Sequence, residues 1–247
     1  MNYFNLQRFA DEAENEQTSG TFTGCTCSDC DLHDNKVDEK MSKITILGSY
    51  GFEHAIRAMR LPMKSLNKSD SFECTGSEVN ESYCVVDPNL RDQYEKFIIG
   101  KKDRELSTKL TNAGTSHRKH LRLIDAWFEI HMPLYWWKEF DTYRMGVDKL
   151  SESTMHTLMK RPIEVSDFQN FALTKEEVSH LEEIRLSGDF DKLNKVLPQS
   201  YLQTRIVKCS YEALRAMYHD RKDHKLMEWR NFCRVLKVLP NSWMIVE

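Results

Sequence analysis

The residues of this chain best equipped for chemistry stand in one run, EFDTYRMGVDKLSESTMH, residues 139 to 156. It gathers carboxylates at Glu139, Asp141, Asp148 and Glu152, hydroxyls at Thr142, Tyr143, Ser151, Ser153 and Thr154, a guanidinium at Arg144 and an imidazole at His156. Carboxylates and hydroxyls orient a base or a ribose, and an arginine grips an oxyanion through paired, charge-assisted bonds. On a helix, Asp141 lies three residues from Arg144 and Glu139 four from Tyr143, which sets two polar faces side by side. Gly146 then breaks the helix, and the SEST loop at 151–154 offers hydroxyls and backbone N–H groups to an anion such as phosphate. The plain alternative is a helix end followed by a serine-rich loop. Just upstream, Tyr135, Trp136 and Trp137 either pack this helix on a sheet or stack on a ligand ring.

Two basic stretches, TSHRKH at 115–120 and HDRKDHK at 219–225, read either as phosphate patches or as solvated turns. Cys25, Cys27, Cys30 and His33 supply zinc-type donors, but all four fall within nine residues. Structural zinc sites usually draw their ligands from two separated knuckles, so the cluster reads as part of a tail and no metal is assigned. The chain contains no GxGxxG, GxxxxGK[ST], HExxH or GxSxG, which removes the motif support for dinucleotide folds, P-loop enzymes, zincins and α/β-hydrolases.

The elements that must hold these residues follow from composition and periodicity. With 40% hydrophobic and 30% charged residues, the 247-residue chain can bury a large core. A net charge of −3 argues against a nonspecific nucleic-acid binder. No apolar run approaches the roughly 18 residues of a membrane span. Seven cysteines without an export signal point to reduced thiols and a cytoplasmic protein. Residues 1–40 read as a flexible, acidic, cysteine-bearing arm, and 41–247 as a single α+β domain. In that domain Ile44 to Leu47 reads as a strand turning at Gly48 and Gly51, and GFEHAIRAMRLP as a helix with Arg57 and Arg60 on its polar side. RDQYEKFIIG and KKDRELSTKLTNAG read as helices ended by Gly100 and Gly114, while WFEIHM leaves strand and helix open. Pro133 favours a new helix start, Thr174 with Glu177 forms a capping box, YLQTRIVKC alternates as a strand, and Ser210 caps the next helix. A last helix covers 223–238.

Taken in order, HAIRAMR (54–60), GTSHRKH (114–120), WFEI, EFDTYR (139–144), SEST (151–154), LNKVLP (193–198) and SYEALRAMYHDR (210–221) resemble the flavin-dependent thymidylate synthases. That family runs through an AAR-type segment, GHxSxxEH, a strand, QxxRHR, SxR, ARxxLP, and a helix with NxR and LR. The resemblance covers roughly Ile44 to Val238. Glu139 stands where the family has Gln, and RHR reads TYR, so Arg144 alone survives. Ser153 takes the SxR serine if one residue is inserted, and Met155 replaces its arginine. Asn194, beside Lys195, stands for the ARxxLP arginine, Ser210 and Glu212 for the NxR pair, and Arg221 keeps the LR position.

The resemblance implies a mostly antiparallel sheet flanked by helices and a homo-oligomer, a tetramer in the family. It also implies a dUMP-like pyrimidine nucleotide as ligand and FAD as cofactor, with reduced nicotinamide and methylene-tetrahydrofolate where the family chemistry is kept. By the same transfer Glu139, Arg144, Ser153 and Arg221 bind substrate, and Ser116, Tyr143 and Arg144 bind the cofactor. No side chain is assigned a catalytic role. Each lost guanidinium removes a contact worth about 1.5 to 3 kcal/mol. A catalytically inactive binding or regulatory protein on the same oligomeric scaffold is therefore the alternative reading. The opening MNYFNLQRFA, which resembles the starts of phage head proteins, adds a phage-associated role to it.

Overall fold

The computed structural model describes residues 42–73 and 96–247. The arm expected at 1–40, with Cys25, Cys27, Cys30 and His33, lies outside the described residues, as do Cys74 and Cys84. The β-prone opening run forms β1 (Lys43–Tyr50), which continues through Gly48 instead of turning there; its register shifts between Ile46 and Gly48. The turn falls at Gly51, whose φ of 101° disfavours other residues and where a Cβ would strike the Leu123 carbonyl oxygen.

Helix α1 (Phe52–Arg60) buries Phe52, Ala55, Ile56 and Met59, as their spacing requires. Arg60, expected on the polar side, is instead only 5% exposed, because its Nε donates to Asp103 Oδ1 at 2.5 Å. Short strands β2 (Phe72–Glu73) and β3 (Phe97–Ile98) pair antiparallel. The helix expected over RDQYEKFIIG is thus corrected for its described part: the apolar FII run finds Phe72 as a strand partner. Gly100 starts a helix rather than ending one. Asp70 accepts from the backbone N–H groups of Lys102 and Asp103, satisfying the first turn of α2 (Lys101–Asn112).

Then follow β4 (Asp125–Pro133), α3 (Leu134–Phe140), β5 (Val147–Ser151), α4 (Thr154–Thr157), α5 (Lys175–Leu186), α6 (Phe190–Val196), β6 (Leu202–Ser210), α7 (Tyr211–Arg221), α8 (Met227–Lys237) and α9 (Trp243–Val246). The main sheet has the order β1-β4-β6-β5, and every neighbouring pair is antiparallel. WFEIHM is strand because its side chains alternate. Ala126, Phe128, Ile130 and Met132 are at most 1% exposed, whereas Trp127 between the first two is 40% exposed. Side chains of α1, α3, α7 and α8 share one core with that inner face. A second, smaller cluster sets Val178, Leu181 and Ile184 of α5 beside Phe168 and Tyr201.

The Thr174–Glu177 capping box forms, and Ser210 Oγ accepts from Ala213 N at 3.3 Å to cap α7. Cys209 and Cys233 are buried free thiols; burial pushes the Cys233 thiol up to about 12, so it serves as a small core residue. Among the described residues no helix is long and apolar enough to cross a membrane.

Candidate functional site

Pro133 starts α3, and Trp136, Trp137 and Phe140 on its inner side are 0 to 1% exposed. Trp136 stacks on Phe140 with centroids 5.0 Å apart and lies 4.7 Å from Trp229. Trp137 Nε1 donates to the Gln203 carbonyl at 3.0 Å. Both tryptophans therefore belong to the core, and neither is free to stack on a ligand.

The helix ends at Phe140, earlier than its polar continuation implied. Thr142 Oγ1 donates to the Glu139 carbonyl at 2.7 Å, and the chain then turns through Gly146, whose φ is 71°. The Gly146 carbonyl accepts from Ser210 N at 2.7 Å, tying this turn to β6. Asp141 and Arg144 consequently share no helix face. Asp141 accepts instead from Arg205 Nη1 at 2.9 Å and lies 2.5 Å from Lys149 Nζ, while Arg205 covers the Trp137 ring at 4.2 Å. The SEST loop is likewise divided between two elements. Ser151 ends β5, Glu152 Oε2 accepts from Thr204 N at 2.9 Å, and the Ser153 carbonyl accepts from Thr157 N at 3.0 Å to open α4.

What converges is Glu139, Tyr143 and Arg221. Arg221 Nη1 donates to Glu139 Oε2 at 2.6 Å, and its Nε donates to the Tyr143 hydroxyl at 3.0 Å. Its guanidinium lies 4.8 Å from the Trp229 ring centroid, a cation–π contact that rigidifies the group. Trp229 Nε1 donates to the same Glu139 oxygen at 2.9 Å, and His224 Nε2 lies 3.4 Å from it. His224 Nδ1 accepts from Leu226 N at 3.2 Å, and its Nε2 also lies 2.9 Å from Arg221 Nη1, so the imidazole is held against the Arg221–Glu139 pair. Tyr143 in turn donates to Asp220 at 3.2 Å; burial raises the phenol above its usual range, with Asp220 adding to the rise and Arg221 opposing it.

Polar capacity remains at this hub. Among the described residues, Glu139 Oε1 and Arg221 Nη2 carry no hydrogen bond, and the two side chains are 34% and 19% exposed. The pair thus presents an acceptor beside a donor, the combination that a nucleobase edge or a phosphate with an adjacent hydroxyl requires.

Arg144 and Ser116 are exposed. Among the described residues neither makes a hydrogen bond or ion pair, and the Ser153 hydroxyl makes no hydrogen bond. For a dinucleotide cofactor the fit is partial: Arg144 and Ser116 are free to meet an anion, but the Tyr143 hydroxyl is already engaged. Sequence reasoning noted His224 only as part of a charge run and missed Trp229 as a polar contributor. Its position in the apolar repeat of α8 marks it as core, and nothing in the sequence shows that its N–H reaches Glu139.

No family model matches the chain, and no curated protein matches it by sequence. Solved structures match by fold. Two structures of the flavin-dependent thymidylate synthase ThyX from Helicobacter pylori, each with FAD and dUMP, superpose with a TM-score of 0.60. Identity is 18% over 83% of this chain, and the match spans 97% and 96% of theirs. The UMP/dUMP methylase PolB from Streptomyces cacaoi, bound with 5-Br dUMP, gives a TM-score of 0.50 at 12% identity, covering 82% of this chain and 94% of its own. The chain has a ThyX-like fold, with mixed helices and antiparallel sheet.

Proposed function

We propose that this chain, whose domain we take as residues 41–247, is a divergent flavin-dependent thymidylate synthase-like protein. It binds a dUMP-like pyrimidine nucleotide and FAD, and it methylates or otherwise modifies the base. The observation that carries this reading is the meeting of Glu139, Tyr143 and Arg221, from segments about eighty residues apart, with an unsatisfied acceptor and donor left over. The same fold holds FAD and dUMP in the Helicobacter pylori ThyX structures.

In this reading Arg221, through Nη2, and Arg144 bind phosphate or flavin. Ser153 donates to a phosphate oxygen, and Glu139 Oε1 accepts from the base edge or a ribose hydroxyl. Ser116 and Tyr143 contribute to the cofactor. A bound reduced flavin supplies hydride, with reduced nicotinamide and methylene-tetrahydrofolate as co-substrates if the family chemistry is kept; the protein's part is orientation and charge. Arg144 and Ser153 form no hydrogen bond with the Glu139–Arg221 hub within one chain; in this reading a homotetramer, as the resemblance implies, brings them to the site across a subunit boundary.

Titrating the full chain with dUMP and with FAD, followed by thermal shift and flavin absorbance, tests the proposal. Binding that falls about tenfold or more in Arg221→Gln supports it. Absence of both dUMP and FAD binding overturns it.

A second reading, a catalytically inactive binding or regulatory oligomer, is favoured by one specific feature: Glu139 already neutralises Arg221. It predicts a stable multimer by sedimentation that does not respond to flavin.

A further inference from the structure

An arginine that grips a phosphate needs its guanidinium clear of other anions. Arg221 is not clear. Its Nη1 donates to Glu139 Oε2 at 2.6 Å, and the same oxygen accepts from Trp229 Nε1 at 2.9 Å, so a carboxylate of the chain itself holds the seat that a ligand oxyanion would take. A second carboxylate stands behind Tyr143: Asp220 Oδ2 accepts from the hydroxyl whose oxygen accepts from Arg221 Nε at 3.0 Å. Two carboxylates thus attend one guanidinium. Among the described residues no second lysine or arginine bonds to Glu139, Tyr143 or Asp220. Arg230, which borders the hub through His224, is turned onto the His224 carbonyl at 3.3 Å and the Met227 sulfur at 3.5 Å.

The seat is held from three helices. Glu139 comes from the end of α3, Arg221 from the end of α7 and Trp229 from α8. The guanidinium also lies 4.8 Å from the Trp229 ring centroid and 5.7 Å from that of Tyr143, so it cannot swing toward another anion without giving up these contacts. A phosphate reaching the remaining Nη2 would lie beside Glu139 Oε1, against a cation whose charge is already matched. Like charges in contact at a partly buried position repel with little screening, and one N–H returns less than that repulsion costs. An uncharged group meets no such penalty: its N–H or O–H donates to Oε1 while a neighbouring oxygen accepts from Nη2.

We propose that Glu139 is the specificity-determining residue of this hub: it turns phosphate away from Arg221 and admits an uncharged group that carries a donor beside an acceptor. The inference rests on the nucleotide reading and narrows it, leaving the phosphate to Arg144 and Ser153 and giving Arg221 an uncharged part of the ligand. The Trp229 indole N–H, bonded to Glu139, is a local reporter. Its NMR signal, assigned by its loss in Trp229→Phe, is followed in the full chain as inorganic phosphate is added. In the wild type and in Glu139→Asp, which keeps the charge, the signal should stay unmoved at millimolar phosphate. In Glu139→Gln it should shift and saturate, with phosphate held at least about tenfold more tightly than in the wild type, and Arg221→Gln in that background should abolish the shift. Glu139→Ala gives the same readout if the Gln variant fails to fold, with circular dichroism reporting the fold. Phosphate that shifts the wild-type signal as readily, or a folded neutral variant that gains no phosphate binding, overturns the proposal. Titrating the same samples with dUMP and FAD separates the two claims: a wild type that binds neither sinks the nucleotide reading and leaves the gain in Glu139→Gln standing, whereas a wild type that binds them with no such gain sinks this inference alone.

Discussion

Replacing Asp103 by Asn should destabilise the protein by about 3 to 5 kcal/mol, because it strands a buried arginine and unsatisfies a cluster of donors at once. The Asp103 side chain is 0% exposed. Its Oδ1 accepts from Arg60 Nε at 2.5 Å, while Oδ2 accepts from Ser69 Oγ at 2.6 Å, Ser71 Oγ at 2.7 Å, and the backbone N–H groups of Asp70 and Ser71, both at 3.2 Å. In Asn, one oxygen still serves Arg60, but the amide nitrogen faces two backbone N–H donors that cannot rotate away. The alternative rotamer satisfies those donors and leaves Arg60, only 5% exposed, against an NH2 group. Arg60→Gln, which removes a single donor and leaves the carboxylate its other four, should cost less, about 1 to 3 kcal/mol. The double variant should then lose less than the sum of the singles.

Urea unfolding at pH 7, monitored by tryptophan fluorescence, gives each difference at constant m. The pH dependence supplies a second check. Burial alone would raise the Asp103 carboxyl, but the bonds from Ser69, Ser71 and Arg60 outweigh it and hold the group below the usual carboxylate range. A depressed carboxylate contributes stability that is fully present above the unfolded-state value of about 3.9 and is lost as pH falls through the folded value. The gap between wild type and Asp103→Asn should thus stay constant from pH 7 to 5 and close only in stronger acid. A loss under about 1 kcal/mol, or a gap already closing between pH 7 and 5, would refute the reasoning.

Burial lowers His120 to about 4, so its neutral form is favoured in the fold. That contribution is present above pH 6.5 and should fall by about 3 kcal/mol as pH drops toward 4; His120→Gln should flatten the corresponding slope in urea midpoints. Trp136→Ala should cost about 3 to 5 kcal/mol in the same assay, since the ring stacks on Phe140 and packs against Trp229. Gly146→Ala should lower stability by about 1 kcal/mol or more, because its φ of 71° and a Cβ meeting Ser210 Oγ both oppose a side chain; an unchanged melting temperature would contradict this.

Much of the scaffold was legible before any coordinates because its causes are local. The caps at Thr174 and Ser210 need only a hydroxyl three residues before a backbone N–H, and the α1 core face needs only helical spacing. In the described part of RDQYEKFIIG, strand replaces the expected helix for the opposite reason: Phe97 and Ile98 become strand only when residues 72–73 lie alongside. The polar run after Phe140 was also misread, since its turn is set by the Ser210–Gly146 bond and by Arg205 drawing Asp141 away from Arg144.

At the site, sequence alone determined which types of group were on hand: a carboxylate at 139, a phenol at 143 and a guanidinium at 221. Tertiary structure decided who meets whom. Coulomb attraction and hydrogen bonding act over a few ångströms and take no account of distance along the chain. Arg221 therefore found Glu139 and the Trp229 ring, while Arg144, one residue past Tyr143, was left in solvent.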